Sequence, residues 1–108
     1  MTEQILQINF GLNVSPTEYR AFAASVAQTV ASVPGLRWKM WFLNEDTREA
    51  GGIYLFEDER TLKAYLSSDI IQTVRTHPAL KNATFTHAPV MSDLTALTRG
   101  PVGATVTA

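Results

Sequence analysis

Hydrophobic residues recur along this chain with two spacings, and the changes between them predict the order of strands and helices. Gln4–Phe10 is short and rich in Ile, Leu and Phe, which is typical of a strand. An apolar stripe at helical spacing follows, and a capping box from Ser15 to Glu18 marks its start. This first helix should end near Ser32 or Val33, because a Pro-Gly pair comes next.

The second half of the chain is predicted to form a hairpin, two helical pieces and one more strand. Leu36–Leu43 and Ala50–Phe56 are predicted strands, joined through a polar, acidic turn into an antiparallel hairpin. Asp58 is placed to cap a second helix, and a short helical piece after it ends at Pro78. Ala83–Val90 alternates and predicts a fourth strand, at an edge or ending early because it contains a proline.

The resulting order is β-α-β-β-α-β, which is the ferredoxin-like arrangement of the α+β class. We expect a four-stranded antiparallel sheet with helices on one face and with the first and third strands in the centre. A single domain is predicted over residues 1–98. Residues 99–108 have no periodicity, and we expect a mobile tail or an extended arm there.

Neither face of the hairpin is plainly polar. Strict alternation puts Leu36, Trp38, Met40 and Phe42 on one face of its first strand and Trp41 on the other. A second broad apolar sheet face is rarely left exposed on a monomer. The pattern therefore predicts a homodimer in which two sheets pack face to face and close a barrel.

Composition and charge exclude several classes of protein. Nine Lys and Arg against ten Asp and Glu leave no basic stripe for nucleic acid. The absence of cysteine excludes disulfides, thiolate nucleophiles and Cys-ligated metals. No apolar run approaches the roughly 18 residues of a membrane span, and the N-terminus has no signal-peptide pattern, so we expect a cytoplasmic protein without membrane contact.

Three polar side chains are candidate catalytic residues. His87 alternates with apolar neighbours and is either an inward-facing general base or an ordinary strand or interface histidine. Lys39 either pairs with Glu49 across the hairpin or, in an apolar barrel, loses basicity and stabilises an oxyanion. Tyr54 carries a hydroxyl that needs a partner when buried, and a substrate hydroxyl is one candidate. His77 and His87 are not spaced as metal ligands, so no metal site is expected.

The candidate substrate contacts are side chains that could stack on a flat ligand or hydrogen-bond to it. They are Trp38, Trp41, Phe56, Asn9 and Tyr65. Core packing is the alternative for the tryptophans, and a solvated strand position is the alternative for Asn9. Gly51 and Gly52 lead into a strand, so they indicate a bulge or a close approach by side chains of another element.

The stretch GLRWKMWFLNEDTREAGGIYLFEDERTLKAYL resembles the YdhR-type monooxygenases of the dimeric α+β barrel superfamily. The resemblance is carried by Trp38, Lys39 and Trp41, by the strand from Glu49 to Phe56, and by the acidic start of a Leu-x-x-Tyr-Leu helix. It implies a dimeric barrel with a pocket between sheet and helices in each subunit. It also implies oxygenation of a small aromatic or polyketide-like compound by molecular oxygen, without flavin, haem or metal.

Two features keep other functions open. Tyr65 and Ile70 stand where the related antibiotic-biosynthesis monooxygenases often have histidines, which places a histidine-based mechanism in question. The superfamily also includes isomerases, decarboxylating enzymes and binding modules. An isomerase, cyclase or decarboxylase and a non-catalytic small-molecule-binding dimer are therefore the alternatives to a monooxygenase.

Overall fold

The chain folds into a four-stranded antiparallel sheet whose larger helices cover one face, and the computed structural model describes residues 2–103. The elements in chain order are β1 (Gln4–Leu12), α1 (Pro16–Ala31), β2 (Leu36–Asn44), β3 (Glu49–Phe56), α2 (Glu59–Leu66), α3 (Asp69–Thr76), β4 (Leu80–Pro89) and α4 (Ser92–Leu97). The strand order β2-β3-β1-β4 puts β1 and β3 in the centre. The predicted ferredoxin-like α+β fold is confirmed.

Local sequence signals account for the ends of the helices. Ser15 accepts a hydrogen bond from the Glu18 amide at 3.1 Å, and the Glu18 carboxylate accepts one from the Ser15 amide at 3.3 Å. This is the predicted capping box, and α1 ends at its C-cap Ser32. Asp58 caps α2 by accepting from the Thr61 amide at 2.8 Å, and that hydrogen bond lowers the pKa of the Asp58 carboxyl. No helix in the described part of the chain is long and apolar enough to cross a membrane.

The core lies between the sheet and the helices. Leu6, Ile8 and Phe10 of β1 are buried there, and their partners on β3 include Tyr54, which shares the same face. The opposite sheet face, called the open face below, carries six large apolar side chains. They are Ile5, Trp38, Met40, Phe42, Ile53 and Leu55.

The prediction that Leu36 and Trp38 share a face of the hairpin is wrong, because β2 contains one extra residue between them. The β2–β3 register shifts between Leu36 and Trp38, so that Arg37 is an extra residue on β2. Leu36 therefore packs against the helix-side core, whereas Trp38 lies on the open face opposite Leu55. Simple alternation had placed Leu36 and Trp38 together.

The fourth strand begins earlier than the sequence indicated. It starts at Leu80 rather than Ala83, and its register with β1 shifts between Asn9 and Gly11. Asn82 adopts a positive φ of 54° in this irregular part. The polar Lys-Asn pair interrupts the alternation there, which is why the pattern pointed to a later start.

The segment that follows α4 returns to the sheet. The Trp38 indole nitrogen donates to the Pro101 carbonyl oxygen at 2.7 Å, and the Gly103 amide donates to the Glu3 carboxylate at 3.2 Å. Val102 is 3% exposed, and Arg37 forms an ion pair with Glu3 at 3.0 Å. Within the predicted tail or arm over 99–108, residues 101–103 thus lie against the domain, and residues 104–108 lie outside the described residues.

Candidate functional site

A cavity of about 150 Å³ lies between the helix-side face of the sheet and helices α1, α2 and α3. Such a volume is comparable to cavities that hold one benzene ring. Most of its wall is aliphatic or aromatic, and the aliphatic part includes Ile8, Val26, Ile70 and Val74. Its polar groups are one lysine and the hydroxyls of three tyrosines and two threonines. These are Lys39, Tyr19, Tyr54, Tyr65, Thr29 and Thr73.

A wider surface cleft of about 350 Å³ adjoins this cavity along the seam between α1 and β2. Tyr19, Ala23 and Trp41 line both spaces. Trp41 is 39% exposed, so its ring stands between the cavity and solvent. A ligand larger than one ring would place one ring in the cavity and the remainder in this cleft.

Lys39 brings an amine into an apolar surrounding. Its Nζ atom lies 3.3 Å from the centroid of the Trp41 ring and 4.7 Å from the centroid of the Tyr54 ring. The ion pairs found within residues 2–103 do not involve Lys39. Burial consequently lowers the pKa of Lys39 from 10.5 to about 7.

The predicted alternative for Lys39, a salt bridge with Glu49, is not formed. Lys39 is the cross-strand partner of Tyr54, whereas Glu49 pairs with Asn44 at the far end of the hairpin. The register therefore separates the two charges and directs the lysine toward the cavity.

The glycine pair of β3 makes room for this arrangement. A Cβ atom on Gly52 would overlap Cε of Lys39 and lie 3.3 Å from the Tyr54 ring. A Cβ atom on Gly51 would overlap the carbonyl oxygen of Ile8 on the neighbouring strand. Close approach by a side chain of another element, one of the two predicted explanations, is confirmed at Gly52, whereas at Gly51 the closest atom is the backbone oxygen of Ile8.

Two buried tyrosines form the end of the cavity next to α2. The Tyr65 hydroxyl donates to the Tyr54 hydroxyl at 3.4 Å, and the two ring centroids are 5.4 Å apart. Phe56 is fully buried and packs against Tyr65 at 5.3 Å and Tyr54 at 6.2 Å between ring centroids. Burial raises the pKa of both tyrosines, and the neighbouring Tyr65 raises that of Tyr54 further. Both hydroxyls therefore stay protonated at neutral pH.

The structure brings together some of the site residues predicted from the sequence and separates the rest. Those that line the cavity are Lys39, Tyr54, Trp41 and Tyr65. Phe56 does not line it but supports the two tyrosines from behind. Trp38 and Asn9 lie on the open face, where Asn9 accepts a hydrogen bond from the Gln7 side chain at 3.3 Å.

His87 lies on the helix-side face of the edge strand β4, opposite Leu6, but it is exposed and does not line the cavity. Alternation indicated its face correctly, but the helices do not bury this end of β4. Within residues 2–103, no three His, Asp or Glu side chains are grouped as metal ligands would be.

Sequence reasoning missed Tyr19 as part of the site. It belongs to the apolar stripe of α1, packs edge-on against Phe10 at 5.8 Å between ring centroids, and lines the cavity. Burial raises the pKa of its hydroxyl. Its position in the apolar stripe could have indicated this role, because the helix face that packs on the sheet also lines any cavity between the helix and the sheet.

Comparison of the chain with known proteins identifies the family to which it is similar. The family model described as "Putative mono-oxygenase ydhR" matches residues 5–101, which confirms the resemblance stated from the sequence. No match is found among curated proteins.

Solved structures share the fold at low identity. A protein of unknown function from Nitrosomonas europaea, NE2512, is 18% identical with a TM-score of 0.69, over 84% of this chain and 91% of that one. A variant of SnoaB, a cofactor-independent oxygenase from Streptomyces nogalater, is 16% identical with a TM-score of 0.68, over 84% and 95%. The ActVA-Orf6 monooxygenase of Streptomyces coelicolor, in complex with nanaomycin D, is 12% identical with a TM-score of 0.62, over 82% and 88%.

Proposed function

The chain belongs to the family of the mono-oxygenase ydhR, and from this premise we propose that it is a cofactor-independent monooxygenase of small phenolic aromatic or polyketide-like compounds. One observation carries the proposal: the part of the chain that the structure describes forms a ring-sized apolar cavity with one amine in its wall, Lys39, whose pKa is about 7, beside neutral tyrosine hydroxyls. An aromatic ring fits the aliphatic and aromatic walls, and a phenolic oxygen fits the amine.

The first step is formation of an electron-rich anion. Because burial lowers the pKa of Lys39 to about 7, its amine form is accessible at neutral pH and can accept a proton from a bound phenol. The resulting ammonium group then stabilises the phenolate in a site with little water, where the attraction is stronger than in solution. The Tyr54 hydroxyl, which accepts from Tyr65, is a hydrogen-bond donor to the same anion.

The second step uses molecular oxygen as the oxidant. In a substrate whose phenol is the enol form of a ring ketone, as in a hydroxyanthrone, the anion shares its charge with the former CH₂ carbon, which has kept one hydrogen. This anion transfers one electron to O₂, the two radicals join through a new C–O bond at that carbon, and the proton held by Lys39 completes the hydroperoxide. Loss of water leaves a ketone at that carbon. The substrate thus loses two hydrogen atoms and gains one oxygen atom, and the second oxygen atom leaves as water. The chain supplies positioning and electrostatics for both steps.

Two structural relatives favour this class of substrate and reaction. SnoaB is described as a cofactor-independent oxygenase, and the ActVA-Orf6 structure holds nanaomycin D. The low identities mean that these relatives support the fold, while the choice of an aromatic substrate for this chain rests on the cavity walls.

We also propose that the protein is a homodimer joined through the open face. Met40 is 54% exposed there, and Met91, Leu94 and Leu97 are 64%, 51% and 76% exposed. A second copy would cover such apolar surface, which is rarely left open in a monomer. A cytoplasmic location remains part of the proposal and rests on the sequence.

The test is oxygen consumption by the purified, chelator-treated and flavin-free protein with hydroxyanthrone as substrate. We expect one O₂ consumed per quinone formed, and a loss of kcat/KM of ~100-fold or more in Lys39→Met, as for removal of a general base. Turnover that is equally fast without oxygen would favour an isomerase, cyclase or decarboxylase. Binding of the compound without turnover would favour a non-catalytic binding dimer.

A further inference from the structure

The amine of Lys39 differs from the other lysine amines of the described chain in its surroundings. Lys63 is exposed and paired with Glu59 at 3.3 Å, and the Lys81 side chain runs over Gly11 on the exposed start of β4. Lys39 instead lines the cavity, with Nζ over the ring faces of Trp41 and Tyr54. A lysine in an apolar site is a nucleophile toward carbonyl carbon when its nitrogen is not protonated.

We propose that Lys39 is a covalent carbonyl-binding residue, which condenses with a one-ring aromatic aldehyde or ketone in the cavity and holds it as a Schiff base. This reactivity goes beyond the oxygenation proposed above, since it needs neither molecular oxygen nor a phenolic proton. The ligand class follows from the cavity, whose volume of about 150 Å³ admits one ring and whose walls are mainly apolar.

The condensation balances without an outside reactant. The Lys39 nitrogen forms a bond to the carbonyl carbon while a proton moves from nitrogen to the carbonyl oxygen, which gives a carbinolamine. Loss of that hydroxyl with a second nitrogen proton releases one water molecule and leaves the C=N bond. No oxidation or reduction takes place.

The groups that face Lys39 favour the reactive form of the amine. β3 contributes Tyr54, α2 contributes Tyr65 and α1 contributes Tyr19, whose hydroxyls are held neutral by burial. The α3 wall contributes the uncharged side chains of Ile70, Thr73 and Val74. Among residues 2–103, no carboxylate lines the cavity to stabilise the ammonium form, and burial lowers the pKa of Lys39 to about 7.

The tyrosine pair also suits the carbonyl oxygen. Tyr54 and Tyr65 are linked at 3.4 Å between hydroxyl oxygens, and both line the cavity into which the amine projects. The Tyr54 hydroxyl, which accepts from Tyr65, can polarise a carbonyl group and hydrogen-bond to the departing hydroxyl of the carbinolamine. A hydroxybenzaldehyde therefore combines the ring size and the polar contacts that this cavity offers.

The experiment is reductive trapping on the full chain. The protein is incubated without oxygen with hydroxybenzaldehyde and sodium cyanoborohydride, which reduces the imine to a stable amine, and peptide mapping locates the adducts. We expect labelling of Lys39 at least ~10-fold faster than of Lys63, with a rate that rises to its plateau around pH 7 rather than near the ordinary lysine pKa of about 10.4. Lys63→Met should label at Lys39 as the wild type does, and Lys39→Met should lose the fast adduct.

Labelling spread over exposed lysines and the N-terminal amine, with Lys39 no faster than Lys63, would overturn the inference. A Lys39 rate that increases only above about pH 9 would overturn it too. Circular dichroism of both variants separates loss of the amine from loss of the fold. Trapping at Lys39 in a protein without oxygenase activity would support this inference and contradict the proposed function. Oxygenase activity without trapping would support the proposed function and contradict this inference.

Discussion

The Nζ atom of Lys39 lies 3.3 Å from the centroid of the Trp41 ring, two residues further along the same face of β2. The ring face attracts the ammonium form, whereas burial favours the neutral amine. Trp41 thus holds Lys39 at the edge of the cavity, and the register with Tyr54 fixes the direction from which the amine is presented.

Replacement of Lys39 should change the pH dependence of stability. The folded-state pKa is about 7 against an ordinary 10.5, so between these values the unfolded chain holds a proton that the folded chain lacks. Stability of the wild type should therefore rise as pH increases through this window. Lys39→Met should be more stable than the wild type at about pH 6, by on the order of 1 kcal/mol after solvent screening, and lose this advantage near pH 10. Urea denaturation at both pH values measures the difference, and a gap that does not change with pH would contradict the prediction.

Gly52→Ala should displace the catalytic amine. The new methyl group would overlap Cε of Lys39, and the flexible lysine side chain would move before the strands do. We expect kcat/KM to fall ~10-fold and stability to fall by about 1–3 kcal/mol, as in overpacked sites. Gly11→Ala is the matched control, since its methyl group would lie 3.0 Å from Cε of the exposed Lys81 instead. Equal losses in both variants would show that the effect is general to strand glycines.

The two buried tyrosine hydroxyls should act as a unit. Tyr65→Phe removes the donor to Tyr54, and the weak 3.4 Å hydrogen bond predicts a stability loss of only ~1 kcal/mol. We expect kcat/KM to fall ~10-fold or more in Tyr54→Phe and Tyr65→Phe, with little further loss in the double variant. A double-mutant cycle on kcat/KM measures this coupling, and fully additive losses would mean that each hydroxyl contacts the substrate independently.

His87→Ala should leave catalysis nearly unchanged. The imidazole is exposed on the edge strand and does not line the cavity, so we expect kcat/KM within ~2-fold of the wild type, against ~100-fold for Lys39→Met. Steady-state oxygen consumption compares the two. A loss similar to that of Lys39→Met would place His87 at the reacting atoms of the assembled protein.

Met40→Glu should weaken the dimer. It places a charge on the open face at the edge strand β2, where pairing of two sheets would desolvate it, and we expect the dissociation constant to rise on the order of 100-fold. Gln28→Glu adds the same charge to the exposed surface of α1 and serves as the control. Sedimentation velocity over a range of protein concentrations compares the dissociation constants of the two variants. An unchanged dimer in Met40→Glu would show that the interface lies elsewhere.

Local signals in the sequence predicted the fold because each element has its own start and stop. The capping box at Ser15 and the Asp58 cap act within one turn, so they could be read without any partner. The placement of Lys39 could not be read in this way, since a pairing with Glu49 or with Tyr54 depends on the register of the hairpin. The extra residue Arg37 could not be recognised from the alternation either, because neither face of β2 is plainly polar.

The same limit applies to His87. Alternation along β4 indicates which face a side chain points to, but burial depends on whether a helix extends over that end of the strand. For Gly52 the sequence did carry a usable signal, because a glycine inside an apolar strand indicates close approach. The partner of that approach, Lys39, became evident only with the paired strands in view.

The placement of the two tryptophans on opposite sheet faces gives the molecule two separate optical probes. Trp41 borders the cavity, whereas Trp38 hydrogen-bonds to Pro101 on the open face. In Trp38→Phe the remaining emission should respond to a ligand in the cavity, and in Trp41→Phe it should respond to association of two chains. Fluorescence titrations of this pair can therefore follow binding and assembly independently in one protein.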